Sequence, residues 1–71
     1  MFNRELINSR SRSEWETLIT EWIHDARDRS MLRRRMLDGL TFEDLADEFC
    51  LSVTQTKERV YRAQRQLLNH I

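Results

Sequence analysis

The chain has no proline and only one glycine, Gly39, in 71 residues. Hairpins and sheets depend on both residues for their turns, so this shortage argues against β architecture and leaves an all-α reading. Cysteine is as scarce. Cys50 stands alone, so there is no disulfide framework, and its distance from His24 and His70 leaves no zinc-ligand cluster. A lone thiol suits a reducing compartment, and the expected location is cytoplasmic. No apolar run approaches the roughly 18 residues of a membrane span, and the opening MFNRELINSR lacks an apolar signal core, so no membrane partner is expected. A chain of this length makes one domain that buries only about 60% of its unfolded surface, with no room for a deep catalytic cleft. His24, His70 and Cys50 fall on three separate segments without triad spacing. The expectation is a protein that is not an enzyme and has no metal, cofactor or small-molecule substrate.

Net charge is absent too, with 12 basic and 12 acidic residues, which at first argues against nucleic acid. The balance is uneven along the chain. Residues 1–12 carry +2, residues 13–50 carry −5, and residues 51–71 carry +3 from Lys57, Arg59, Arg62 and Arg65 against Glu58. Neutrality is therefore the average of an acidic body and a basic final segment.

Residues 1–12 read as a loose N-terminal arm in which Phe2, Leu6 and Ile7 form an apolar anchor that docks on the body. A single helical domain then covers 13–71, with helices expected at about 14–24, 26–38, 42–49 and 53–69. Ser13 and Glu16 have the spacing of a capping box. Trp15, Leu18, Ile19, Trp22 and Ile23 follow at helical period and mark a buried face. Two tryptophans on one helix imply core; the alternative is that Trp15 and Trp22 form a partner or dimer surface. His24 is placed to meet the last carbonyls of that helix.

Asp25 and Asp28 suit the start of the next helix, whose apolar face is Met31, Leu32, Met36 and Leu37. Gly39 ends it, with Leu40 turned back. Arg33, Arg34 and Arg35 lie on successive faces, suited to ion pairs with nearby acids and to one phosphate contact among the three. Thr41 to Leu68 holds two further helix starts, Thr41 before Asp44 and Ser52 before Gln55. On the first of these helices Phe42, Leu45, Ala46 and Phe49 oppose Glu43, Asp44, Asp47 and Glu48, four acids that read as a solvated face or a surface for a basic partner. On the second, Thr56, Val60, Ala63 and Leu67 form the buried stripe, opposite Thr54, Gln55, Glu58, Tyr61, Arg62 and Arg65. Short polar groups at a helix start, followed by cations and a tyrosine, are what a DNA major groove asks for.

The segment LDGLTFEDLADEFCLSVTQTKERVYRAQRQL, Leu37 to Leu67, resembles the helix-turn-helix in the fourth conserved region of bacterial RNA polymerase sigma factors. The likeness rests on Leu37, Gly39, Leu40, Thr41, Glu43, Asp44, Leu45, Ala46, Leu51, Ser52, Lys57, Arg59, Tyr61, Arg62, Ala63 and Leu67. There are two departures. Cys50 stands at a turn position where that family favours glycine, and Thr56 replaces the usual buried valine with a hydroxyl that needs a partner.

The resemblance implies a helix-turn-helix at 41–68 that binds double-stranded DNA in a sequence-specific way. It implies base readout by Val53, Thr54, Gln55, Lys57 and Glu58, and phosphate contacts from Thr41, Ser52, Tyr61, Arg62 and Arg65. About five such contacts predict a log–log salt slope near −4 to −5. The segment that carries the likeness does not include that family's promoter-melting region. The expected role is a transcription regulator or an accessory sigma-like subunit, with RNA polymerase or a second copy as further partners. The rival expectation is a protein-interaction module that uses the acidic face or the tryptophan helix.

Overall fold

The computed structural model describes residues 4–70, and the expected anchor Phe2 lies outside the described residues. The protein is all-α among the described residues, with α1 at Arg4–Asn8, α2 at Arg12–Trp22, α3 at Ala26–Met36, α4 at Phe42–Phe49 and α5 at Val53–Leu68. Four of these fall where the sequence puts them, within two residues at each end. The fifth, α1, lies in the stretch read as a loose arm. Five residues cannot sustain a helix alone. Here Leu6 packs against the core, and the carbonyl of Ile7 accepts the Trp15 indole N–H at 2.7 Å.

α2 starts earlier than expected. Ser11, not Ser13, is the N-cap: its hydroxyl accepts from the Glu14 N–H and the Glu14 carboxylate accepts from the Ser11 N–H, both at 3.2 Å. Two Ser-x-x-Glu registers overlap here. The earlier one lets Arg12 enter the helix and reach Asp38 at the end of α3, at 2.9 Å. His24 does not cap α2 as expected; it is exposed, and Arg29 from the next helix donates to the carbonyls of Ile23 and His24 at 3.2 and 3.1 Å. α3 opens on Asp25, whose carboxylate accepts from the N–H groups of Arg27 and Asp28. It closes before Gly39, whose φ of 72° is the left-handed conformation expected there. A Cβ at Gly39 would meet nothing within 4 Å, so the demand for glycine comes from the backbone and not from crowding.

α5 packs against α2, α3 and α4 and is the central element. Trp15, Ile19 and Ile23 of α2 and its C-cap meet Met31, Leu32 and Met36 of α3, Leu45 of α4, and Val60, Ala63 and Leu67 of α5 in one apolar cluster. Arg59 is drawn inward from α5 to Asp28 at 3.3 Å, and Gln66 donates to the Trp22 carbonyl at 3.0 Å. Arg34 joins α3 to α4 through Glu48 at 2.6 Å, and Arg27 donates to the Phe49 carbonyl. Exposed ion pairs each contribute about 0–1 kcal/mol, so they set the register of helices that the apolar cluster holds together.

Candidate nucleic-acid interface

The candidate site is built on α4, a tight turn and α5. Thr41 caps α4, its hydroxyl accepting from the Asp44 N–H at 3.1 Å. Cys50 ends it in the left-handed region, with φ 56° and ψ 44°. The Leu51 N–H returns to the Ala46 carbonyl at 2.9 Å, and the Cys50 N–H lies 3.4 Å from that of Asp47. This pair of bonds is the closure that usually recruits glycine. Leu51 packs on the core from the turn, and Ala46, 6% exposed, is the small residue within this closely packed corner.

Ser52 then opens α5 with a complete capping box. Its hydroxyl accepts from the Gln55 N–H at 3.1 Å, and the Gln55 side-chain oxygen accepts from the Ser52 N–H at 3.2 Å. Thr56 is fully buried, and its hydroxyl donates to the Ser52 carbonyl at 2.8 Å, which supplies the partner the sequence demanded.

Of the residues expected at bases, Thr54, Gln55, Lys57 and Glu58 are exposed and Val53 is half-buried. Of those expected at phosphates, Thr41, Ser52, Arg62 and Arg65 are exposed and Tyr61 is half-buried, its ring edge-on to Phe42 at 5.6 Å and 68°. These side chains share the start of α4 and the outward face of α5. The chemistry of three of them is narrowed by the caps. Gln55 uses one lone pair of its oxygen on the Ser52 N–H, and while the box is closed both hydrogens of its NH2 remain uncommitted. The hydroxyls of Thr41 and Ser52 accept within their caps and keep their protons for an anion.

Trp15 does not belong to any partner surface. It is fully buried in the core with its indole N–H satisfied, because its position one helical turn inside the Ser11 cap points it at the centre of the bundle. Trp22 is half-buried, and the His70 imidazole stacks on it at 3.9 Å with planes 4° apart. The four acids of α4 are exposed, and no group of three or more candidate metal ligands exists among the described residues. No helix among them is long and apolar enough to cross a membrane.

Sequence reasoning passed over Phe42 and underused Arg35. The Arg35 guanidinium lies 4.4 Å from the centre of the Phe42 ring and donates to the Leu40 carbonyl at 2.7 Å; the Lys57 ammonium lies 5.7 Å from the same ring. Phe42 reads as one more apolar position of α4, and no local spacing shows that α3 and α5 bring polar groups to it. Compared with protein-family patterns, curated proteins and solved structures, the chain matches none.

Proposed function

We propose that the protein binds double-stranded DNA through the outward face of α5, as a sigma-like helix-turn-helix acting in transcription regulation. The observation that carries this reading is the division of charge on α5. Arg59 turns inward to Asp28, while Lys57, Arg62 and Arg65 are exposed together with Glu58. The exposed residues therefore keep a net charge of +2 beside a rigidly capped helix start. Thr54, Gln55 and Glu58 face bases in this arrangement, Glu58 accepting from a cytosine amino group, the one base-edge contact that suits a carboxylate. Arg62 and Arg65 meet phosphates further along. The protein is not an enzyme in this reading and works in the cytoplasm, where its DNA is.

Fluorescence anisotropy with random and selected duplexes tests it. Binding at micromolar protein and low salt is expected, weakened by Arg62→Ala and Arg65→Ala. No binding even at low salt would overturn the reading.

A second reading rests on the exposed carboxylates of Glu43, Asp44 and Asp47, none of which has an ion-pair partner among the described residues. In it the α4 face receives a basic surface of RNA polymerase or of a regulatory protein. Sedimentation with purified polymerase, weakened by Asp44→Asn and Asp47→Asn, is the outcome that would favour it.

A further inference from the structure

Phe42 opens α4 directly after the Thr41 cap, and its ring meets side chains from both neighbouring helices. From α5, the Lys57 ammonium lies 5.7 Å from the ring centre, inside the roughly 6 Å over which a ring attracts a cation, and the Tyr61 ring meets it edge-on at 5.6 Å. From α3, the Arg35 guanidinium lies 4.4 Å from the same centre while it donates to the Leu40 carbonyl at 2.7 Å. The ring is therefore restrained by the cap before it and by α3 beside it.

Burial alone does not account for an aromatic residue here. Phe42 is half-buried beside the core, a place that leucine would fill, but leucine offers no ring to a cation or to a second aromatic. Lys57 and Tyr61 stand one helical turn apart on α5, so a single ring at the start of α4 reaches both. Both belong to the face expected at DNA, Lys57 among the base-reading residues and Tyr61 among the phosphate contacts. Lys57 makes no hydrogen bond or ion pair among the described residues, which leaves the ring as the restraint on a long side chain with several free rotations.

We infer that Phe42 is a positioning residue for the DNA-reading face, holding Lys57 and Tyr61 ready for the duplex without touching DNA itself. This role rests on the DNA-binding reading for its ligand. It adds to that reading a residue of α4 that carries no charge and no hydrogen-bonding group, and it makes the start of α4 and the first two turns of α5 one preorganised unit. Side chains that are already ordered lose less freedom when the complex forms, so the ring raises affinity through residues other than itself.

The full chain serves for the test, with thermal unfolding confirming that each variant is folded at the assay temperature. Phe42→Leu keeps an apolar residue and removes the ring; it should weaken duplex binding by about three- to tenfold. Because no cation is lost, its salt slope should equal that of the unsubstituted chain, whereas Arg62→Ala should lower the slope by about one. Phe42→Tyr, which keeps the ring, should restore most of the affinity. In a chain that already carries Lys57→Gln and Tyr61→Leu, adding Phe42→Leu should change binding by less than twofold, since the residues it acts through are gone. A parallel arm needs no DNA: NMR side-chain order of Lys57 and Tyr61 should fall in Phe42→Leu and hold in Phe42→Tyr. If duplex binds and folded Phe42→Leu binds it as well as the unsubstituted chain, the positioning role is wrong while the DNA reading stands. The role is also overturned if Phe42→Leu costs as much in the doubly substituted chain, because Phe42 then acts through packing alone. If the unsubstituted chain binds no duplex even at low salt, the DNA reading falls and takes this role with it.

Discussion

At the scale of single residues, Cys50 shows local strain accepted for a turn. Its φ of 56° places a Cβ in the left-handed region, which costs an ordinary residue roughly 1 kcal/mol. Cys50→Gly should therefore raise stability by up to about 1 kcal/mol, measured as a shift in the urea midpoint at constant slope. The resemblance marked this position as unusual, because the family it points to favours glycine there. Thr56 resolved in the opposite direction. Its hydroxyl looked like a liability in a buried stripe, and it donates to the Ser52 carbonyl one turn back. That carbonyl also accepts from the Thr56 N–H at 3.0 Å, so losing the hydroxyl leaves no orphan acceptor. Thr56→Val should change stability by less than about 1 kcal/mol in either direction, a small effect for a fully buried polar site.

At the scale of elements, helix starts carry most of what the sequence revealed. Thr41, Ser52 and Asp25 cap where their residue types and the following acids or amides suggest, and the three helices that follow begin within a residue of expectation. Ser11 was missed because Ser13-x-x-Glu16 satisfies the same local rule. The earlier register comes with the tertiary contact from Arg12 to Asp38, which no local rule shows. α1 was illegible for a related reason, since its helicity depends on docking to Trp15 and the core and not on its own five residues. The caps also carry a pH signature. The Ser11 N–H holds the Glu14 carboxyl below its usual range, and the Asp28 N–H, then that of Arg27, does the same for Asp25. A carboxyl whose pKa is depressed in the folded state contributes stability above its unfolded value, near pH 4, and loses it as pH falls through the folded value. The thermal midpoint should therefore hold steady above about pH 5 and decline below about pH 4. Asp25→Asn, which keeps the cap but cannot titrate, should make that decline shallower; an unchanged acid limb would show that Asp25 is not part of it.

At the scale of the whole molecule, zero net charge conceals an arrangement in which some charges, those of Arg12, Arg34 and Arg59 among them, are paired internally. The sequence showed that the basic residues gather in the last helix, but it could not show which of them remain available. Arg59 pairs with Asp28, and in the proposed DNA complex Thr41, Ser52 and Tyr61 would meet phosphates as neutral hydrogen-bonders that release no counterions. The five phosphate contacts expected from sequence therefore overstate the electrostatic term. The exposed cations on the outward face of α5 are Lys57, Arg62 and Arg65. Three neutralised phosphates give a log–log salt slope of about −3, shallower than the −4 to −5 read from the sequence. With Lys57 at a base edge, Arg62 and Arg65 alone give about −2. A salt series by anisotropy at fixed pH separates these values directly. A slope near −2 would confine the contact to the far end of α5, and a slope steeper than −5 would mean that charges from the N-terminal arginines or a second copy join the interface.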